Sequence, residues 1–229
     1  MSIQTKIRLS AAGILLPIAM ATAAGAASVE VSVTNNQAAD GLYFTPLASI
    51  FHDGSFDTFD VGGFARPSVE QVAETGDPGA LIGEARDAGF AAGAVTGPAG
   101  FGSVGAQPPV LDPGETGTAR FNGLDGVTNR YFSFLSMIIP SNDLFVGNSD
   151  PIAYEIFNDM GNFVGATIEV FTSRIYDAGT EANTNLGAAF NAAGGEATDT
   201  EERIALVANL IVEGDDDPLV FILGGENTA

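Results

Sequence analysis

Hydrophobic and polar residues alternate regularly in SVEVSVTN, residues 28–35. Val29, Val31 and Val33 fall on one face of an extended chain, and the residues between them are polar. Side chains of a strand point alternately to its two faces, so this pattern predicts a strand with one buried face.

Other segments rich in β-branched and aromatic residues also predict strands. These segments are LYFTPLASIFHDG (42–54), TARFNG (118–123), YFSFLSMII (131–139), IAYEIFN (152–158), ATIEVFTSRIY (166–176) and PLVFILGG (218–225). The nearly unbroken apolar run of YFSFLSMII predicts a central strand. Pro46 predicts an edge strand or a bulge, because proline cannot donate to a ladder. RIALVANLIVEG, 203–214, fits a helix or a strand.

The period of the hydrophobic pattern changes between residues 66 and 89. Apolar residues at helical spacing predict two short helices there, with Ser68 and Asp77 as N-caps and Pro78 at a first helical position. The Gly/Pro-rich segment 90–117 predicts a long surface loop. Short strands, turns and small helical insertions together predict an all-β antiparallel sandwich.

The first 27 residues have the features of a secretory signal peptide. Lys6 and Arg8 precede a short apolar run that ends in Ala and Gly, and cleavage is expected near Ala26 or Ala27. A membrane anchor is the alternative, but the run is short for a span. We therefore expect a single domain over residues 28–229, with no membrane span, that is secreted or periplasmic.

The chain is strongly acidic. It has 229 residues, 29 acids, 8 Lys and Arg residues and a formal net charge of −21. Such a surface repels nucleic acid and anionic lipid and favours divalent cations. Adaptation to salty surroundings would account for the charge equally well.

Several classes of enzyme find no support in the residues. His52 is the sole histidine and is interpreted as structural or surface, since no G-x-S-x-G motif accompanies it. The absence of cysteine excludes thiol catalysis and Cys-ligated zinc. No G-x-x-x-x-G-K-[ST] phosphate loop occurs. Paired carboxylates leave a glycosidase open, although tryptophan is absent from the sequence.

Hard-cation binding is the chemistry that the acids favour, because calcium binds carboxylate and carbonyl oxygens. The candidates are Asp143 in PSNDLFVG, Asp177 and Glu181 in YDAGTE, and the run GDDD at 214–217. None belongs to an EF-hand loop. On spacing alone, solvated turns explain these acids as well as metal ligation does.

Two of these motifs resemble a known family. SMIIPSNDLFVG, followed about thirty residues later by IYDAGTE, is similar to the paired motifs of the spondin domain of F-spondin and mindin. The upstream segment TPLASIFHDGSFDTFDVG is similar to bacterial exported proteins with this domain. The resemblance covers residues 28 to 225, and it implies a C2-like β-sandwich with calcium at one end.

The resemblance also implies a set of calcium ligands. By position these are the carboxylates of Asp143, Asp177 and Glu181, and a backbone carbonyl at about Ser173. Two positions depart from the animal proteins, which have Trp at the place of Leu144 and Asp at the place of Glu181. The longer Glu side chain makes Glu181 the least secure of the ligands.

The function expected from the sequence is that of an exported, non-catalytic, calcium-binding spondin domain. It would act in adhesion or matrix binding, through a protein or glycan partner that the sequence does not identify. One alternative is a secreted hydrolase or lyase that uses calcium or paired carboxylates. Another is a soluble periplasmic or matrix protein with no specific ion or partner.

Overall fold

The computed structural model describes residues 26–39, 41–98, 109–184, 186–188, 195–207 and 219–227. Eleven strands, two α-helices and one 3-10 turn are found in these ranges. The strands are β1 (Ala27–Asn35), β2 (Tyr43–Phe44), β3 (Leu47–His52), β4 (Ala91–Val95), β5 (Thr116–Leu124), β6 (Tyr131–Ile139), β7 (Leu144–Gly147), β8 (Ala166–Val170), β9 (Ile175–Asp177), β10 (Ala205–Leu206) and β11 (Leu219–Asn227). The helices are α1 (Pro67–Thr75) and α2 (Gly79–Asp87).

The strands form two antiparallel sheets that pack together, so the predicted all-β sandwich with short helical insertions is confirmed. The smaller sheet has the order β5-β1-β11-β8. The larger has the order β10-β9-β7-β6-β3-β4, with β2 paired to β6. Helices α1 and α2 pack on the larger sheet.

The predicted strands at residues 28–35 and 131–139 are both confirmed. In β1 the three alternating valines, Val29, Val31 and Val33, are fully buried. Strand β6 lies between β3 and β7, and eight of its nine residues are buried because the other sheet covers one face and helix α1 packs on the other.

The segment around Pro46 differs from its prediction. Pro46 divides it into β2 and β3, and β3 lies inside the larger sheet between β6 and β4. Proline interrupts the ladder as expected, but its effect is confined to the two residues between the strands. The following strand recovers full pairing with β6.

Two loop and strand assignments were wrong. Residues 91–95, predicted as part of a loop, form β4 at the edge of the larger sheet. Residues 152–158, predicted as a strand, make only isolated bridges, such as Tyr131 to Glu155. The sequence AAGAV pairs with β3 although it holds only one β-branched residue, so its backbone pairing decides the structure, not its propensity.

The segment 166–176 is a strand at each end and changes sheet in between. Its first part is β8 in the smaller sheet and its last part begins β9 in the larger one. The 3-10 turn Thr172–Arg174 makes the crossing. This crossing brings Asp177, the last residue of β9, beside β7.

Both helices are present, but their first residues differ from the prediction. Helix α1 begins at Pro67 with Arg66 as N-cap, so Ser68 is not the cap. Helix α2 begins at Gly79 with Pro78 as N-cap. The Asp77 carboxylate still accepts the Gly79 N–H, at 2.9 Å, and so satisfies an unpaired amide of the first turn.

Candidate metal centre

The loop between β6 and β7 presents Asp143 at one end of the sandwich. Strand β6 ends at Ile139, and Pro140 cannot continue the ladder. The Ser141 hydroxyl donates to the Ile138 carbonyl at 2.6 Å and accepts the Leu144 N–H at 3.1 Å. The loop is therefore a compact turn whose conformation is fixed by its own hydrogen bonds.

Hydrophobic anchoring follows directly after the acid. Phe145 is fully buried and Leu144 packs against the core. The Phe145 ring contacts those of Phe59 and Tyr176, with centroids 4.9 Å and 5.6 Å away. These contacts hold the backbone of the acidic loop against the larger sheet.

Asp143 is a fully buried carboxylate that joins two loops distant in sequence. Its Oδ2 accepts the backbone N–H groups of Thr180 and Glu181, both at 3.0 Å. Its Oδ1 is buried and has no hydrogen-bond partner in the described part of the chain. Burial raises the pKa of the Asp143 carboxyl, and the charge of Asp177 raises it further. An unpaired carboxylate oxygen in such a place is costly unless a cation or proton meets it.

The D-A-G-T-E loop receives Asp143 because its backbone turns sharply at Gly179. This residue has a φ of 70°, in the left-handed region that favours glycine. A Cβ added there would lie 2.8 Å from the Glu202 carbonyl carbon. Glycine is thus required both by the turn and by the close approach of the segment 195–207.

Asp177 lies next to the Asp143 loop, and both of its carboxylate oxygens accept hydrogen bonds. Asp177 pairs with Leu144 across β9 and β7. Its Oδ1 accepts the Gly179 N–H at 2.7 Å, and its Oδ2 accepts the Asn183 side-chain amide at 2.7 Å. A carboxylate has about four lone-pair sites, so these two bonds leave capacity for a cation.

Ser173 is the predicted ligand with the least structural detail. It lies exposed in the 3-10 turn Thr172–Arg174, directly before β9. Its place in the site therefore rests on the family resemblance alone.

Glu181 is close to three other acids. Burial raises the pKa of its carboxyl to about 7, and the charges of Glu74 and Asp143 add to the shift, as does that of Asp199. Its Oε2 is buried and without a hydrogen-bond partner among the described residues. The bridge between Glu181 and Asp199 brings the segment 195–207 into the site.

A cavity of about 450 Å³ opens next to this cluster. Thr180, Glu70 of helix α1 and Asp199 line it together with the exposed ring of Phe64. Sequence analysis missed Glu70, Glu74 and Asp199. The four-residue spacing of Glu70 and Glu74 places them on one face of α1, but nothing local indicates that this face meets the loop after β9.

In the described ranges, the acids of the site fit a bound cation only in part. No three Asp, Glu or His side chains in those ranges stand in an arrangement that could hold a metal ion. Asp143 and Glu181 nevertheless each offer a buried oxygen without a partner. A carboxylate donor set of this kind suits calcium. The other sequence candidate, Asp215 to Asp217, lies outside the described residues.

His52 is a structural residue and lies away from the acids, at the end of β3. It is fully buried. Its Nδ1 accepts the Gly54 N–H at 3.0 Å, so the ring proton must be on Nε2, which donates to the Ser133 hydroxyl at 2.9 Å. Burial lowers the pKa of His52 to about 4, and the nearby Asp53 only partly opposes this.

The buried neutral His52 makes stability depend on pH. Because the folded-state pKa lies below the ordinary value of 6.5, the unfolded chain binds the extra proton first as pH falls. We expect His52 to cost on the order of 1–3 kcal/mol of unfolding free energy between about pH 6.5 and about pH 4. Urea unfolding across this range should show the loss.

The control is His52→Asn, whose side-chain carbonyl can still accept the Gly54 N–H but does not titrate. Other acids titrate in both proteins, so the slope difference between wild type and variant isolates His52. Equal slopes for the two proteins would contradict the assignment.

An all-β sandwich with two acidic loops meeting at one end defines the class of the protein, and comparison with known families defines it further. The family model described as Spondin_N matches residues 35–210. The chain therefore belongs to the spondin N-terminal domain family. A search of curated proteins finds no match. Domains of this type are typical of extracellular proteins and are generally non-enzymatic.

Two predictions from the sequence concern localisation, namely a signal peptide and a mature chain without a membrane span. The predicted signal peptide, residues 1–27, lies almost entirely outside the described residues, since β1 begins at Ala27. In the described ranges, no helix combines the length and apolar character that a membrane crossing requires.

Proposed function

We propose that this protein is an exported spondin domain that binds calcium and acts in adhesion at a cell surface or in a matrix, without catalysis. Calcium would be bound by Asp143, Asp177 and Glu181, with the carbonyl of Ser173 as a further donor. The observation that carries the proposal is Asp143, a fully buried carboxylate with one oxygen on two loop amides and the other unpaired.

Electrostatics supports a structural role for the ion. The pKa values of Asp143 and Glu181 are both raised by burial and by neighbouring acids. A divalent cation between these carboxylates would offset their repulsion. It would also join the β6–β7 loop to the loop after β9, which are separated by more than thirty residues.

The residues of the two loops hold the Asp143 carboxylate in a fixed orientation. The backbone amides of Thr180 and Glu181 orient Asp143 Oδ2, and this leaves Oδ1 as the oxygen available to an ion. The Asn142 side chain donates to the Ala182 carbonyl at 2.8 Å, and this hydrogen bond links the two loops directly.

Titration calorimetry with calcium on the purified protein tests the proposal. We expect binding by the wild type and none by Asp143→Asn, which keeps an acceptor for the loop amides but loses the charge. Glu169→Gln is the matched control, because Glu169 is exposed on β8 in the smaller sheet and its change alters net charge equally. Wild type without calcium binding, or Asp143→Asn with unchanged affinity, would refute the proposal.

Adhesion is a separate part of the proposal, and it needs a protein or glycan partner. It is supported by the family, which is typical of extracellular proteins. The measurement is binding of the labelled protein to whole cells and to matrix polysaccharide, with calcium and with chelator. Binding that chelator does not reduce would separate adhesion from the ion.

One observation favours a second candidate function, that of a secreted hydrolase or lyase. A carboxyl with its pKa raised to about 7 next to a cavity is the kind of group that serves as a general acid. A screen of polysaccharides and esters would detect turnover. Activity that Glu181→Gln abolishes would establish this function in place of the first.

A further inference from the structure

The outer face of the smaller sheet carries an acid and a base next to each other. In β1, Val29 and Val31 are buried in the core. Side chains of a strand alternate between its two faces, so Ser28 and Glu30 point outward. Arg120 of β5 pairs with Glu30 across the sheet and is exposed. The sheet therefore holds a carboxylate and a guanidinium side by side on its solvent face.

Gly224 of β11 lies on the other side of Glu30, and the fold gives no reason for a glycine there. Strand β11 pairs with β1 along all nine of its residues without a register shift, so Gly224 does not stand at a bulge. Its φ lies outside the left-handed region, and an added Cβ would meet no atom within 4 Å. Neither the backbone conformation nor the packing requires glycine at this position.

The next residue, Gly225, shows the contrast. An added Cβ at Gly225 would lie 2.7 Å from the Ser28 carbonyl oxygen and 3.2 Å from the Phe163 ring, so packing requires this glycine. Glycine inside a strand weakens it, and one established reason for keeping such a glycine is the close approach of a ligand. Gly224, which packing does not explain, is therefore a place where another molecule can approach the backbone.

A shallow groove of about 290 Å³ lies at this point. Its lining, from which we name it the Gly224 groove, consists of Ser28, Glu30, Arg120, Gly224 and Gly225. Its volume is near the lower end of the range for small-ligand sites, about 300–1,000 Å³. Because Gly224 has no side chain, a ligand in the groove can rest directly on the backbone of β11.

The polar groups of the Gly224 groove keep hydrogen-bonding capacity for a ligand. In the described part of the chain, Arg120 hydrogen-bonds only Asn122 Oδ1, at 3.3 Å, and forms no ion pair with Glu30. The Ser28 hydroxyl donates to the same Asn122 oxygen at 2.9 Å. A guanidinium has five N–H donors and a carboxylate accepts at both oxygens. The groove thus offers charged donors and charged acceptors next to each other.

Hydroxyl groups match this arrangement, because each hydroxyl can donate to Glu30 and accept from Arg120. Neighbouring hydroxyls of one sugar ring would use both groups at once. A polymer with carboxylate or sulfate groups is disfavoured, because the net charge of the chain is −21 and repels polyanions. The groove therefore suits a sugar without charge.

We propose that the Gly224 groove binds a sugar unit of a neutral polysaccharide, with Arg120 as donor, Glu30 as acceptor and the backbone at Gly224 as the floor. This inference rests on the adhesion part of the proposed function and gives the chemical class of its partner. It does not depend on calcium, since the groove lies on the smaller sheet and the acids of the metal centre lie on loops of the larger one.

Substitutions at Gly224 give the sharpest test, because affinity and stability should not change together. Gly224→Ala and Gly224→Val fill the floor of the groove where an added Cβ meets no atom. We expect the melting temperature to equal that of wild type or to rise, since both residues are better strand formers than glycine. Binding should weaken, by at least about tenfold for Gly224→Val. The measurement is retardation in native gels that contain dextran, mannan or laminarin.

The two charged groups are tested separately. Arg120→Gln and Glu30→Gln each remove a charge-assisted hydrogen bond and should weaken binding about tenfold. Glu169→Gln is the matched control, because Glu169 is exposed on β8 of the same sheet and does not line the groove. Alginate, a polymer of acidic sugars, should not retard wild type. All gels are run with calcium and with chelator, and we expect the same result in both.

The outcomes separate the groove from the wider proposal. If wild type binds cells and Gly224→Val binds them equally, adhesion stands and the role of the groove is refuted. If wild type binds neither cells nor any of the three neutral polysaccharides, adhesion and this inference both fail, whatever the calcium titration shows. Retardation by alginate alone would contradict the assignment of a neutral ligand. Self-association in the ultracentrifuge that Gly224→Val abolishes, without polysaccharide binding, would assign the groove to a second copy of the chain and overturn the inference.

Discussion

Replacing Phe145 by alanine is expected to lower the unfolding free energy by about 3–5 kcal/mol, the range for truncating a buried aromatic residue. Phe145 is fully buried, and its ring packs edge-on against Phe59 and stacks on Tyr176. It belongs to the cluster that fills the space between the larger sheet and helix α1. The cavity left by alanine cannot close easily, because rigid rings line it. Urea unfolding followed by circular dichroism measures the loss.

Phe64→Ala is the matched control for this prediction. It removes the same ring from a side chain that is 60% exposed, although Arg203 stacks on one face at 4.6 Å. The expected loss is below about 1 kcal/mol. Losses of similar size at Phe145 and Phe64 would contradict the described packing.

The hydrophobic pattern of the sequence predicts those parts of the fold in which buried positions recur regularly along the chain. Val29, Val31 and Val33 alternate because one face of β1 covers the core, and the pattern of β6 is continuous because both of its faces are covered. Strand β4 was not predicted, because AAGAV has little β-propensity and forms a strand through its pairing with β3. The sheet change after Val170 was also not predicted, because the apolar residues at both ends of the segment 166–176 favour a single strand.

At the candidate site, local sequence patterns also predict only part of what the structure shows. The motifs indicated Asp143, Asp177 and Glu181 by resemblance, and the structure brings Asp143 and Glu181 into contact through a hydrogen bond 38 residues apart in sequence. Glu70 could not be predicted as a neighbour of the site, because its place beside the cavity depends on how helix α1 packs against a loop that follows about a hundred residues later. Long-range packing decides such neighbours, and a single sequence does not encode it in any local pattern.

Two substitutions of Asp143 should lower the unfolding free energy by clearly different amounts, and this is the second large effect expected. In chelator, Asp143→Ala leaves the partly buried N–H groups of Thr180 and Glu181 without an acceptor, which costs about 2–4 kcal/mol of unfolding free energy.

Asp143→Asn retains an acceptor and removes a charge repelled by Glu181 and Asp177, so its loss should be below about 1 kcal/mol. With calcium at about 100 times its Kd, wild type should gain about 2.7 kcal/mol and neither variant should gain. Urea unfolding of the three proteins under both conditions measures these differences. Equal losses for the two variants in chelator would show that the loop amides do not depend on the Asp143 acceptor. A calcium gain retained by Asp143→Asn would place the ion elsewhere.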